Sequence, residues 1–150
     1  MKALDTTVEQ VLREAIESEI SSRVYYRLLA ARAADEPARA KLIDLSERQI
    51  LHRLHLERRY RQLVGKEPPE LPEPHVEIPA DLTNIDTARA LRIALEHERE
   101  SESNFRFLFE RSTDPALTNL FSELAEMEWK HKAEVQAEYD AVAHDPEDFF

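Results

Sequence analysis

Apolar residues recur at steps of three and four in four long stretches of this 150-residue chain. An α-helix has about 3.6 residues per turn, so this spacing places them on one side of a helix. The same stretches are rich in alanine, leucine, glutamate and arginine, and the whole chain holds one glycine. That composition favours helix over strand. The sequence therefore predicts an all-α protein with four long helices.

Residues that commonly begin or end helices bound each of the four stretches. The predicted helices run from about Thr7 to Ala34, from Pro37 to Gly65, from Asp86 or Thr87 to the break at Asp114-Pro115, and from Pro115 to a point before Pro146. Residues 144–150 are predicted to form a polar tail.

The connections between helices predict the topology. Two of them are only a few residues long, so helices one and two form one antiparallel hairpin and helices three and four another. Residues 66–85 are rich in proline and, extended at about 3.1 Å per residue, reach about 60 Å. A helix of about 28 residues is only about 42 Å long. This crossover can therefore run the length of one four-helix bundle formed by residues 1–150. The alternative, two separate hairpins on a disordered linker, leaves each apolar face in water.

Each apolar stripe is interrupted near the middle of its helix by polar residues. These residues are Glu19, Gln49, His52, Glu98, Glu128 and His131. Burying a carboxylate without a partner costs several kcal/mol, and three of them close together repel. The stripes contain no lysine or arginine, so a bound cation has to compensate. Carboxylates and imidazoles favour iron or manganese.

The polar residues belong to an internal repeat. An offset of 79 residues carries Glu19 to Glu98, since 98 − 19 = 79, and the same offset carries Gln49 to Glu128, His52 to His131 and Tyr26 to Phe105. A bundle made from two copies of one hairpin has pseudo-twofold symmetry, so a site between the copies is built from matched residues. Glu128 and His131 lie one turn apart, the spacing found in di-metal carboxylate bundles.

At this point the sequence resembles the rubrerythrin branch of the ferritin-like superfamily. The family pattern reads Glu-x6-Tyr and then Glu-x-x-His, and repeats after the crossover. The resemblance spans nearly the whole chain and implies a ferritin-like four-helix bundle. It also implies two iron ions, with manganese or another divalent metal as an alternative. The implied ligands are Glu19, Gln49, His52, Glu98, Glu128 and His131.

The resemblance further implies a function and partners. It implies a non-haem di-iron oxidoreductase that reacts with oxygen or peroxide and detoxifies peroxide. Electrons have to come from a separate donor protein, because the chain has no cysteine for an iron–sulfur or rubredoxin-like site. A homodimer is expected, with Trp129 and Met127 as a candidate surface. Tyr26, two turns from Glu19, is a candidate hydrogen-bond partner of a ligand carboxylate.

Two departures from the family pattern concern charge. Gln49 stands where the family has glutamate, so Glu19, Glu98 and Glu128 supply −3 rather than the −4 that neutralises two divalent ions. We therefore expect weaker binding at one metal position, with Glu102 as a candidate substitute ligand. Ser101 stands where rubrerythrins often carry an additional glutamate, which puts peroxidase activity in doubt.

Composition bears on the location and on other partners. The net charge of −11 argues against a nucleic-acid partner. No apolar run approaches the roughly 20 residues of a membrane span and no signal peptide opens the chain, so we expect a cytoplasmic protein without a membrane partner. His55, His75, His97 and His144 are expected at the surface.

Two other classes of function stay open at this stage. One is iron storage or delivery without turnover of a substrate. The other is a metal-free structural module of ferritin-like fold, in which the buried glutamates are protonated and have raised pKa values. In that case His52 and His131 are core histidines whose partners are those glutamates.

Overall fold

Four α-helices make up most of the computed structural model, which describes residues 7–111 and 114–143. They are α1 (Val8–Ala30), α2 (Glu36–Val64), α3 (Thr87–Glu110) and α4 (Pro115–Ala143). The predicted all-α fold with four long helices is confirmed. None of these helices is long and apolar enough to cross a membrane. His144 and the predicted tail lie outside the described residues.

The helix ends follow from capping. Before α1, the Thr7 hydroxyl accepts a hydrogen bond from the Gln10 N–H at 3.1 Å, and the Gln10 side chain accepts one from the Thr7 N–H at 3.1 Å. Asp35 caps α2 by accepting from the Ala38 N–H at 2.9 Å. Gly65 ends α2 at φ 80°, a left-handed conformation that glycine adopts without steric cost.

Two apolar clusters fill the bundle, one at each end. The lower cluster comprises Val11, Leu12, Ala15, Ile16, Ile20, Leu56, Tyr60, Phe105, Leu117, Leu120, Phe121 and Leu124. The upper cluster comprises Tyr26, Leu29, Ala30, Leu42, Leu45, Ile85, Ala90, Leu91, Ala94, Leu95 and Val135. The starts of α1 and α4 therefore lie at the same end as the ends of α2 and α3. The helices run up, down, down and up, an order that requires a long crossover between α2 and α3.

The crossover follows the bundle from bottom to top. Leu71 packs against the lower cluster, and Ile78 and Leu82 pack against the upper one. At the top, Arg32 donates hydrogen bonds to the carbonyl oxygens of Pro79 at 2.6 Å and Leu82 at 3.1 Å. The crossover thus joins the two hairpins into one bundle.

The top of the crossover also explains why α1 is shorter than predicted. The Ala34 N–H donates to the Ile85 carbonyl at 2.7 Å, and the Ile85 N–H donates to the Arg32 carbonyl at 3.0 Å. These bonds form a short parallel bridge between Ala33 and Ile85. Residues used in the bridge cannot continue the helix, so α1 ends at Ala30 rather than Ala34.

Replacing Ile85 with alanine is expected to lower the free energy of unfolding by about 2–4 kcal/mol, because Ile85 is fully buried in the upper cluster. Urea denaturation followed by circular dichroism measures the change. Ile78→Ala is the matched control: the same side chain, in the same crossover, is only partly buried. An equal loss in the two variants would contradict the anchoring role given to Ile85.

Candidate metal centre

A belt of polar side chains lies between the two apolar clusters. On α1, Glu19 lies beside Ile20, the last residue of the lower cluster, and before Tyr26 of the upper one; on α3, Glu98 separates the upper from the lower apolar residues. On α2 and α4 the corresponding residues are Gln49 with His52, and Glu128 with His131. Five of these six residues are buried at 3–5% exposure, and the side chain of His52 is 12% exposed. All four helices therefore contribute to one interior polar site.

The site contains two groups of metal-ligand type that share one carboxylate. Glu19, His52 and Glu128 form one group, and Glu98, Glu128 and His131 form the other. In each group the ligand atoms lie within 4.8 Å of one another. A carboxylate has two oxygens and can contact two ions at once. The arrangement therefore offers two neighbouring sets of cation ligands that share Glu128.

The contacts inside the belt leave the ligand atoms without ordinary partners. His52 Nδ1 lies 3.6 Å from Glu19 Oε2 and 3.6 Å from Glu128 Oε1, distances too long for hydrogen bonds. His131 Nδ1 lies 3.1 Å from Glu98 Oε1, yet neither ring nitrogen of His131 has a hydrogen bond among the described residues. The rings of His52 and His131 meet edge to face at 5.6 Å.

These orphaned atoms test whether the residues fit a metal. Glu19 Oε2, Glu128 Oε2, His52 Nδ1 and both His131 nitrogens are buried without a hydrogen-bond partner in the described part of the chain. Leaving buried polar atoms unpaired is costly, so such a group usually has a purpose. All of these atoms are good electron-pair donors to a cation. The belt therefore fits a pair of divalent ions held by oxygen and nitrogen.

Burial is the main influence on the three carboxyl groups. It raises the pKa of Glu19 and of Glu98 above the ordinary value. Burial, followed by the neighbouring Glu98, raises the pKa of Glu128 to about 9. Without a cation Glu128 therefore holds a proton at neutral pH, and a divalent ion has to displace that proton to bind.

The two histidines respond in opposite directions. Burial alone lowers the pKa of His52, but the adjacent Glu19 and then Glu128 outweigh it, so the net shift is upward. Burial lowers the pKa of His131. His131 is therefore predisposed to the neutral form that binds a metal, whereas His52 gives up a proton more reluctantly.

Gln49 lies in the belt at the position related to Glu128 by the internal repeat. It is 4% exposed, and its amide nitrogen donates to the Leu45 carbonyl at 3.4 Å on the same helix. Gln49 can contact a cation only through its carbonyl oxygen, as a neutral ligand. The difference between Gln49 and Glu128 thus breaks the twofold symmetry inside the site. The first copy of the repeat contributes less negative charge to the site than the second copy does.

Tyr26 lies at the upper edge of the belt and is fully buried. Burial, and then the charges of Glu98 and Glu128, raise its pKa well above the ordinary value. The predicted hydrogen bond to a ligand carboxylate is absent among the described residues, where the Tyr26 hydroxyl has no partner. The hydroxyl is close enough to influence the site but does not position a ligand in this structure.

His97 was expected at the surface and is instead half-buried against α1. Its Nε2 lies 2.7 Å from the Ser22 hydroxyl. Its ring stacks on Tyr25 at 4.9 Å and meets Tyr26 edge-on at 5.3 Å. The one signal available from the sequence is that His97 directly precedes Glu98, which lies in the apolar stripe of α3. His97 therefore packs α3 against α1 beside the belt.

The remaining candidate residues lie outside the belt. Glu102 pairs with Arg106 at 3.0 Å and with Lys132 at 3.2 Å, so its carboxylate does not join the ligand groups. His75 is exposed, and His55 lies 3.5 Å from Glu123 on α4. Arg48 on α2, next to Gln49 and one turn from His52, contacts Glu134 at 3.2 Å and Glu138 at 3.7 Å on α4.

Fold and site together define a helical-bundle protein with a carboxylate and histidine cluster that can hold metal ions. The family model described as Rubrerythrin matches residues 10–139. The chain belongs to the rubrerythrin family, and the predicted resemblance is confirmed.

Comparison with solved structures supports the fold. An uncharacterised conserved protein from Magnetospirillum magnetotacticum MS-1 is similar at a TM-score of 0.69 and 21% identity, over 91% of this chain and 95% of that chain. At this identity the likeness shows a common fold, which confirms the ferritin-like bundle. No curated protein matches the sequence.

The raised carboxyl pKa values predict that the metal-free protein loses stability as the pH rises. Between the ordinary value of 4.5 and about 9, the folded protein keeps a proton on Glu128 that the unfolded chain has released. This contribution is fully present below pH 4.5 and is lost as the pH rises through 9. Urea denaturation of chelator-treated protein should show a loss of about 1–3 kcal/mol between pH 6 and pH 9.

Glu128→Gln is the control for this pH dependence, since a glutamine does not titrate. It should flatten the profile, and Mn(II) should stabilise the wild type more at pH 8 than at pH 6 because the ion competes with protons. Identical pH profiles in the two proteins would contradict the assignment of the proton to Glu128.

Proposed function

We propose that the belt binds two iron ions and that the protein uses them to reduce peroxide or oxygen. One ion is assigned to Glu19, His52 and Glu128, and the other to Glu98, Glu128 and His131. The observation that carries the proposal is the sharing of Glu128 by both groups. A single structural ion needs only one such group, whereas two bridged ions make a two-electron centre.

The residues of the belt have distinct parts in this proposal. Glu128 belongs to both groups and would contact both ions, while Glu19 and Glu98 would each hold one ion, from α1 and from α3. His52 and His131 supply nitrogen ligands, and Gln49 completes the set as a neutral oxygen ligand. The apolar clusters above and below keep bulk water away, which strengthens the electrostatic interactions within the site.

The chemistry supplied by the metal is electron transfer. Two Fe(II) ions held by these residues would supply two electrons, which is the number needed to reduce one hydrogen peroxide and two protons to two waters. Glu128, whose carboxyl group would release its proton on metal binding, is the nearest group able to take a proton up again.

A cavity supports access by a small molecule. Its volume is about 270 Å³, and it opens between α3 and α4 and reaches Glu128. Phe105, Phe121 and Ala125 give it an apolar lining, while Glu102 and Arg106 lie at its outer edge. An uncharged oxidant such as hydrogen peroxide or oxygen fits a lining of this kind better than an ion does.

Electrons to return the iron to Fe(II) are proposed to come from a separate donor protein. The chain has no cysteine, so it holds no thiolate-bound redox centre. Electron transfer to a buried site then has to begin at the surface of the bundle, in a transient complex of the kind that buries little area.

Reaction of the iron-loaded protein with hydrogen peroxide tests the proposal. The protein is loaded anaerobically with Fe(II), freed of excess metal and titrated with peroxide. Two Fe(II) should be oxidised per peroxide, with two iron ions per chain, and Glu128→Ala should bind neither ion tightly. Uptake of many more than two ions per chain would favour storage. Oxidation no faster than that of free Fe(II) would contradict the oxidoreductase.

Closing the cavity should slow the reaction without changing the metal content. Ala125→Phe places a ring at the cavity mouth, so the rate with peroxide should fall about tenfold while two ions remain bound. Ala133→Phe is the matched control, an exposed alanine on the same helix that does not line the cavity. Equal rates in the two variants would contradict this route of entry.

Restoring the missing carboxylate should strengthen metal binding. Gln49→Glu brings the charge of the site from −3 to −4, which neutralises two divalent ions, so the weaker iron Kd should fall by about 10–100-fold. Competition with a coloured chelator measures it. Gln62→Glu, an exposed glutamine on the same helix, controls for total charge. An unchanged Kd in Gln49→Glu would mean that Gln49 does not face a metal.

A further inference from the structure

The outward face of α2 carries two exposed leucines in an otherwise polar surface. Leu51 is 66% exposed and Leu54 is 55% exposed. Glu47 and Arg58 flank them, and both are exposed. Successive steps of four, three and four residues place these side chains in one line along the helix. We call Glu47, Leu51, Leu54 and Arg58 the α2 stripe.

The two charges of the stripe differ from their neighbours. Asp44 pairs with Arg48 at 3.1 Å, Arg59 with Glu123 at 3.3 Å and Arg61 with Glu67 at 2.7 Å. Among the described residues, by contrast, neither Glu47 nor Arg58 has an ion pair or a hydrogen bond. Among the described charged side chains of α2, the two without a partner are therefore the two that flank the leucines.

The order of residues in the stripe makes it complementary to the stripe of a second copy that runs in the opposite direction. The position numbers of its outer and inner pairs have the same sum, since 47 + 58 = 105 and 51 + 54 = 105. When two copies of α2 lie antiparallel about a twofold axis, residue i of one copy faces residue 105 − i of the other. Glu47 then faces Arg58 twice, and Leu51 faces Leu54 twice. The four leucines surround the axis, as an isologous interface requires.

We propose that the α2 stripe is the contact surface of a symmetric homodimer in which the two α2 helices pack antiparallel. The same register places Asp44 opposite Arg61, which extends the pairing of opposite charges beyond the stripe. This proposal does not depend on the metal centre. The cavity that reaches Glu128 is lined by α3 and α4, so the dimer leaves it open.

The charges of the chain favour a second copy of it, rather than a different protein, as the partner that binds the α2 stripe. The chain carries a net charge of −11, so two copies repel one another over most of their surfaces. The stripe is neutral, with one acid and one base at opposite ends. A strongly acidic or strongly basic partner would satisfy one end and repel the other, whereas the reversed stripe satisfies both.

Sedimentation of the full chain over a concentration series is the first test. The dimer mass is 2 × 17.5 = 35 kDa, against 17.5 kDa for the monomer. Leu51→Glu places like charges beside the axis and should raise the dimer Kd at least about 100-fold. Trp129→Glu is the control, because Trp129 is equally exposed at 66% but lies on α4. It should leave the dimer Kd unchanged.

A charge exchange tests the register itself. Glu47→Arg alone and Arg58→Glu alone place like charges opposite one another in a homodimer, so each should be monomeric. An equal mixture of the two variants restores both ion pairs and should form heterodimers of 35 kDa. The double variant should also dimerise. Within one chain positions 47 and 58 are about 16 Å apart along the helix. They are too far apart to form an ion pair with each other, so dimerisation of the double variant would have to come from contacts between chains.

Three results would overturn the proposal. The first is a wild-type protein that stays monomeric up to about 100 μM. The second is a dimer that Trp129→Glu dissociates and Leu51→Glu does not, which would place the interface on α4. The third is a mixture of the charge variants that remains monomeric. Circular dichroism melting of each variant checks that the helices are intact, so that loss of the dimer is not loss of the fold.

Discussion

Three buried carboxylates that face one another in the middle of a helical bundle require compensation by positive charge. Glu19, Glu98 and Glu128 have no lysine or arginine inside the belt, and the two histidines beside them leave ring nitrogens unpaired. Protons compensate them in part, as the pKa of about 9 for Glu128 shows. Divalent ions compensate them more completely, because they also satisfy the unpaired nitrogens. The rest of the bundle can be understood as the support of this belt.

That support comes from the apolar clusters and from the direction of the helices. Each helix crosses the belt once, so each contributes a ligand at mid-height while its ends are packed in apolar surroundings. The crossover keeps the two hairpins together by docking Ile85 against the α1–α2 turn. The internal repeat produces two nearly equivalent positions, and Gln49 makes them unequal in charge. The cavity at α3 and α4 adds a second asymmetry, since it reaches the copy of the repeat that retains its glutamate.

Much of this could be predicted from the sequence, because helical periodicity and polar interruptions are local patterns. The four helices, the crossover and the rubrerythrin family were predicted correctly. The six candidate residues lie in one belt, and their role as metal ligands stays a prediction. The end of α1 was predicted four residues too late, since the bridge to Ile85 is a contact with a distant segment. His97 was misplaced for a similar reason: its partners Ser22 and Tyr25 are on another helix. The cavity depends on packing, which periodicity does not specify.

Whether two ions share Glu128 is measured most directly by a crystal structure of the iron-loaded protein, with anomalous data collected at the iron absorption edge. A centre shared through Glu128 predicts two anomalous peaks per chain, both in contact with Glu128, one beside Glu19 and His52 and the other beside Glu98 and His131. A single peak, or none within the belt, would contradict it.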